Sequence, residues 1–119
     1  MLVFPKALNA QEVIPVITPP TKSELIQKVY QYADQYDVKA STMLAIINCE
    51  NTDWDPTLQS RIINKGQREE SYGLSQINLP THPTITKEQA TNPDFSLDFM
   101  ASQLSKGNKN IWTCARRLS

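Results

Sequence analysis

With 119 residues, the chain is long enough to bury one hydrophobic core and too short for two ordinary domains, so one compact unit is expected. Lys and Arg balance Asp and Glu at 12 each, which excludes the basic footprint of a nucleic-acid binder and any attraction to an anionic membrane surface. No apolar run approaches the roughly 20 residues of a transmembrane helix, so no membrane span is expected.

The stretch from Met1 to Ala10 is too short and too interrupted for a complete secretory signal. It fits either the tail of one, with Ala10 at a small-residue cleavage position, or an ordinary N-terminus. Pro15, Pro19 and Pro20 then stand among Val and Ile, which reads as extended chain. Residues 1–21 are therefore expected to form a lead-in to a domain over 22–119.

From Ser23 the pattern turns helical. Leu25, Val29, Tyr32 and Tyr36 recur at steps of three and four, Ser23 or Thr21 can cap, and Glu24 suits the positive end of the dipole. Asp37 and Val38 break this helix. A second begins near Lys39 or Ala40, with Met43, Leu44, Ile46 and Ile47 as a broad apolar face closed by Glu50. Between Asn51 and Pro80 the periodicity vanishes, while Pro56, Asn64, Gly66 and Gly73 punctuate the run, predicting loops with a small irregular hairpin. Thr86 can cap a short helix at Lys87-Glu88-Gln89. Pro93 followed by Phe95, Leu97, Phe99, Met100 and Leu104 predicts a longer helix ending near Gly107, and a last turn lies around Ile111 to Cys114. The expected class is mainly α with an irregular loop and hairpin region.

Cys49 and Cys114 lack metal-ligand spacing, and the lone His82 is followed by Pro83, so neither a metal nor a cofactor is expected. The cysteines could be two separate buried thiols, but in an exported protein a Cys49–Cys114 disulfide is the expected arrangement. Such a bridge closes a long loop, worth about 4 kcal/mol at most, and would pin the C-terminal segment against the helix carrying Glu50.

Glu50 lies three residues after Ile47 and four after Ile46, so on a helix it stands on or beside the apolar stripe, at the core edge or a cleft wall. Loss of water and the negative end of the helix both favour the neutral acid, which could then donate its proton. The alternative is a solvated glutamate at a helix end.

The segment Glu50-Asn51-Thr52-Asp53-Trp54-Asp55-Pro56, followed by Ser71-Tyr72-Gly73-Leu74-Ser75-Gln76-Ile77-Asn78, resembles the active-site core of the lysozyme and lytic transglycosylase superfamily. In that pattern an acid closes an apolar helix, an aromatic-Asn/Asp-Pro element follows, and a Gly-Leu-x-Gln-Ile-Asn turn comes next. The resemblance covers roughly residues 22 to 115. It implies a lysozyme-like helical fold whose loop region forms a glycan cleft, and cleavage of the β-1,4 bond between N-acetylmuramic acid and N-acetylglucosamine in peptidoglycan. Glu50 would be the general acid and base, with Ser71, Tyr72, Gln76 and Asn78 contacting the substrate. A monomer working outside the cytoplasm, in periplasm, wall or medium, is the matching expectation. Trp54 and Trp112 could be sugar platforms, but packing against the helices is their expected use.

Two departures refine this. Animal-type lysozymes place an aspartate directly before the Tyr-Gly pair, where this chain has Ser71; Glu70, with Glu69 beside it, is the candidate second acid. Transglycosylases of the superfamily manage with one acid, and Ser71 favours that route to a 1,6-anhydro end. The Ala-Tyr-Asn-Ala-Gly segment of many bacterial transglycosylases has no counterpart after Asn78. A lysozyme-type hydrolase and a non-catalytic wall-binding module are the alternatives.

Overall fold

The computed structural model describes residues 18–118; the expectations for residues 1–17 lie outside them. The described chain is helix-rich with two small antiparallel sheets. Helix α1 spans Lys22–Tyr36, α2 Ala40–Glu50, α3 Lys87–Ala90, α4 Pro93–Ser105 and α5 Thr113–Leu118. None of these is long and apolar enough to cross a membrane.

Local chemistry sets the helix ends. Thr21 and Glu24 form a capping box: the Thr21 hydroxyl accepts from Glu24 N–H at 3.1 Å, and the Glu24 carboxylate accepts from Thr21 N–H at 2.8 Å. Thr21 rather than Ser23 is thus the cap. Asp37 ends α1 in a left-handed conformation, with Val38 N–H reaching the Ala33 carbonyl. Thr86 and Gln89 repeat the box for α3, while Asn92 caps α4 with Pro93 in its first turn.

The core lies where α1, α2 and α4 meet. Leu25, Val29 and Ala33 of α1 pack on Met43, Ile46 and Ile47 of α2 and on Leu97, Met100 and Ala101 of α4. Trp54, Leu74, Trp112 and Ala115 complete it. Each fully buried Leu, Ile or Met contributes roughly 1.5–3 kcal/mol relative to exposure. At the rim, Asp94 accepts from Lys28 Nζ at 3.0 Å and from the Tyr32 hydroxyl at 3.0 Å, joining α1 to α4. Burial and then the Asp94 carboxylate push the Tyr32 phenol up to about 12.

Two hairpins occupy the stretch that carries no helical periodicity. Strand β1 (Ile63–Asn64) pairs with β2 (Gln67–Arg68), joined by Lys65 and Gly66 at φ 53° and 80°. Positive φ at both loop residues is the type I′ arrangement that matches strand twist. Strand β3 (Ser71–Tyr72) pairs with β4 (Ile77–Asn78), with Ser71 opposite Asn78 and Tyr72 opposite Ile77. A second apolar cluster of Tyr72, Ile77 and Ala90 seats this hairpin on α3.

The C-terminal segment differs from expectation. A 3₁₀ turn at Lys109–Ile111 leads into helix α5, in place of a single last turn. Six residues are too few to show periodicity, and α5 is held by tertiary contacts with α2.

Gly73 adopts φ +85°, and a methyl group there would overlap the Ala90 carbonyl oxygen. Gly73→Ala is expected to destabilise the protein by about 3 kcal/mol or more in chemical denaturation, combining backbone strain with overpacking. Gly66→Ala, also at positive φ but with open space around it, should cost only about 1 kcal/mol.

Candidate active site

Glu50 is the last residue of α2. The buried Ile46 and Ile47 fix the helix face, and Glu50 lands half-buried where that face meets a cleft of about 510 Å³. Its Oε2 accepts from the Cys114 N–H at 3.2 Å. Burial raises the pKa above the ordinary 4.5; the Cys114 hydrogen bond opposes this, the Glu69 carboxylate adds to it, and the Arg117 guanidinium works against it, with a net upward shift. Loss of water is the leading cause, as the position at the end of an apolar stripe predicts.

Cys49 and Cys114 form a disulfide, with Cα atoms 5.9 Å apart. This bridge lies directly beside Glu50 and holds α5 against the end of α2, so Thr113, Cys114 and Arg117 join the cleft wall. Among the described residues no cluster of His, Cys, Asp and Glu could hold a metal ion.

The opposite wall comes from the hairpin region. Gln76, Asn78 and Ser71 all line the same cleft as Glu50. Gln76, at φ +50°, donates through Nε2 to the Gly73 carbonyl at 3.0 Å and the Leu58 carbonyl at 3.1 Å. Asn78 donates to the Ser71 hydroxyl at 3.2 Å and accepts from the Thr81 hydroxyl at 2.6 Å. These side chains therefore shape the turn as well as facing the cleft.

Two expected residues are placed elsewhere. Tyr72 is buried against Ile77 and Ala90, with the Lys87 ammonium 5.3 Å from its ring centre, and does not line the cleft. Glu70 is exposed and also outside the lining, while Glu69 lies in it. The reason is strand alternation, which sends successive side chains to opposite faces. Residues 69 and 71 share the cleft face with 76 and 78 across the hairpin; 70 and 72 face away. Glu69 is fixed by the Ser60 hydroxyl, which donates to its Oε1 at 2.9 Å. Period-two counting from Ser71 would have chosen Glu69 over Glu70.

Other residues position the site without a recognisable sequence signal. Asn51, 1% exposed, follows Glu50 and donates to the carbonyls of Asp55 at 2.8 Å and Gly73 at 3.1 Å, and its Oδ1 accepts from Asp55 N–H. It ties the end of α2 to the glycine turn. Ser75 is fully buried and bonded to Ser96 of α4, hydroxyl to hydroxyl at 2.7 Å. The Trp112 indole donates to the Ser75 carbonyl at 2.7 Å. Trp54 is likewise buried, donating to Asn48 at 2.7 Å, so both tryptophans serve chiefly in packing, although Trp112 also borders the cleft.

Because the folded protein holds the Glu50 proton more tightly than the unfolded chain, the stability this proton supplies is complete below pH 4.5 and lost as pH rises through the raised value. Glu50→Gln keeps an acceptor for Cys114 N–H and cannot ionise. It should melt at a higher temperature than the wild type at pH 7, with the difference closing below pH 4.5; equal melting curves at both pH values would contradict the upward shift of Glu50. Compared with known protein families, curated proteins and solved structures, the chain matches none.

Proposed function

We propose that this protein cleaves the β-1,4 bond between N-acetylmuramic acid and N-acetylglucosamine of peptidoglycan as a lytic transglycosylase. The observation that carries the reading is a half-buried Glu50 of raised pKa, facing a cleft that also presents Gln76, Asn78 and Ser71. The substrate class comes from the resemblance of the Glu50–Pro56 and Ser71–Asn78 segments; the acid chemistry is supported by the geometry. An oxidising compartment outside the cytoplasm suits the Cys49–Cys114 disulfide.

In this reading neutral Glu50 gives its proton to the glycosidic oxygen as the bond to muramoyl C1 breaks, and N-acetylglucosamine leaves with a free 4-hydroxyl. The Glu50 carboxylate then takes the proton from the sugar's own 6-hydroxyl as that oxygen bonds to C1. The product is a 1,6-anhydro end, and Glu50 is again protonated. Within the cleft, the amide and hydroxyl side chains suit the acetamido and hydroxyl groups of the sugars.

A hydrolase is the second reading, favoured by Glu69, whose carboxylate lines the same cleft as Glu50. There Glu69 would hold water or balance positive charge at C1.

Mass spectrometry of digested peptidoglycan separates the two, since anhydro ends lack the mass of one water relative to reducing ends; exclusively reducing ends would sink the transglycosylase assignment. Glu50→Gln should lower turnover by about 10²–10⁴, the range for removing a general acid, and undiminished turnover would remove Glu50 from the chemistry. Glu69→Gln takes away a like charge that raises the Glu50 pKa. In the transglycosylase it should keep turnover and move the alkaline limb of the pH profile to lower pH, whereas in the hydrolase turnover itself should collapse.

A further inference from the structure

Arg117 stands on the face of α5 that looks into the cleft, together with Thr113 and Cys114, while the neighbouring Ala115 is buried in the core. Residues three and four apart on a helix share a side, so the segment that grips Glu50 through Cys114 N–H also aims a guanidinium at the same space. The other charges lining the cleft have partners. Arg61 pairs with Asp53 at 3.2 Å, and the Glu69 carboxylate accepts from the Ser60 hydroxyl at 2.9 Å. Arg117 makes no hydrogen bond or ion pair with any described residue.

Its position is also costly to the acid, because a cation beside Glu50 loosens the proton that burial and Glu69 retain. A donor of planar, forked geometry placed there matches a carboxylate. We propose that Arg117 is a specificity residue that pairs with a carboxylate carried by the glycan next to the bond held at Glu50, so that the cleft prefers an acidic aminosugar strand to a neutral one. This rests on the glycosidase reading above. Pairing would do two things at once: bind the substrate in register and cancel the positive charge that otherwise works against a protonated Glu50. The carboxylate has two sources, the lactyl ether on the muramoyl ring or the peptide stem attached through it.

Binding is measured in the Glu50→Gln background, which prevents turnover and imitates the neutral acid, with three strands of equal length. One carries peptide stems, one is stripped of stems and exposes its lactyl carboxylates, and one is a neutral chitooligosaccharide. At low salt the acidic strands should bind more tightly than the neutral one. Adding Arg117→Gln should weaken them by about fivefold, the scale of a partly exposed ion pair, and leave chitooligosaccharide binding and the melting temperature unchanged. Arg117→Lys should keep part of the preference, and salt should erase it. Preference for stripped strands identifies the lactyl group, and preference for stem-bearing strands identifies the peptide. Equal affinity for all three strands, or a loss that extends to the neutral strand, overturns the proposal while leaving the glycosidase reading intact. Absence of binding to any strand, with no product from the wild type, overturns both.

Discussion

The disulfide between Cys49 and Cys114 fastens α5 across the last turn of α2, and the site depends on that contact. Cys49 immediately precedes Glu50, and the N–H of Cys114 reaches the Glu50 carboxyl. One covalent link thereby fixes the acid, covers part of it and brings Arg117 to the cleft. By loop closure alone such a bridge is worth at most about 4 kcal/mol, which would be a large share of the stability of a domain this size. A helix as short as α5 could not hold that position by its own propensity.

Facing this wall is a hairpin whose polar groups are mostly committed to structure. Asn51 joins the end of α2 to the Gly73 carbonyl, Gln76 donates to the same carbonyl, and Ser75 is locked to Ser96 and Trp112. Buried polar groups need such partners, since each left unsatisfied costs about 1–3 kcal/mol. Gly73 is what lets the turn close on α3, because no side chain fits against the Ala90 carbonyl. Any ligand entering the cleft would meet side chains already held by these bonds, which lowers the ordering cost of binding.

The formal neutrality of the chain conceals a local arrangement of charge. Glu50 and Glu69 share the cleft with Arg61 and Arg117. Glu69 reinforces the proton on Glu50 and Arg117 opposes it, with burial the larger influence. The acid strength of Glu50 therefore responds to whatever neutralises either neighbour.

Much of the scaffold was legible in the sequence. The spacing of Leu25, Val29, Met43, Ile46 and Ile47 marked the buried faces of α1 and α2, and Thr86, Pro93 and Gly107 bounded the later helices, because capping and amphipathic burial are local properties. The same spacing placed Glu50 at a core edge. What the chain order could not settle was which neighbours converge on that carboxyl. Glu69 lines the cleft while Glu70 and Tyr72 do not, which period-two counting gives only once the short strand at Ser71–Tyr72 is located, and two residues are too few to locate it from the sequence. The roles of Asn51, Ser75 and Arg117 arise only once segments distant in sequence pack together. Local pattern thus determined the helices and a candidate acid, and tertiary contact determined the environment that half-buries that acid, because desolvation and charge pairing depend on distance in space and not along the chain.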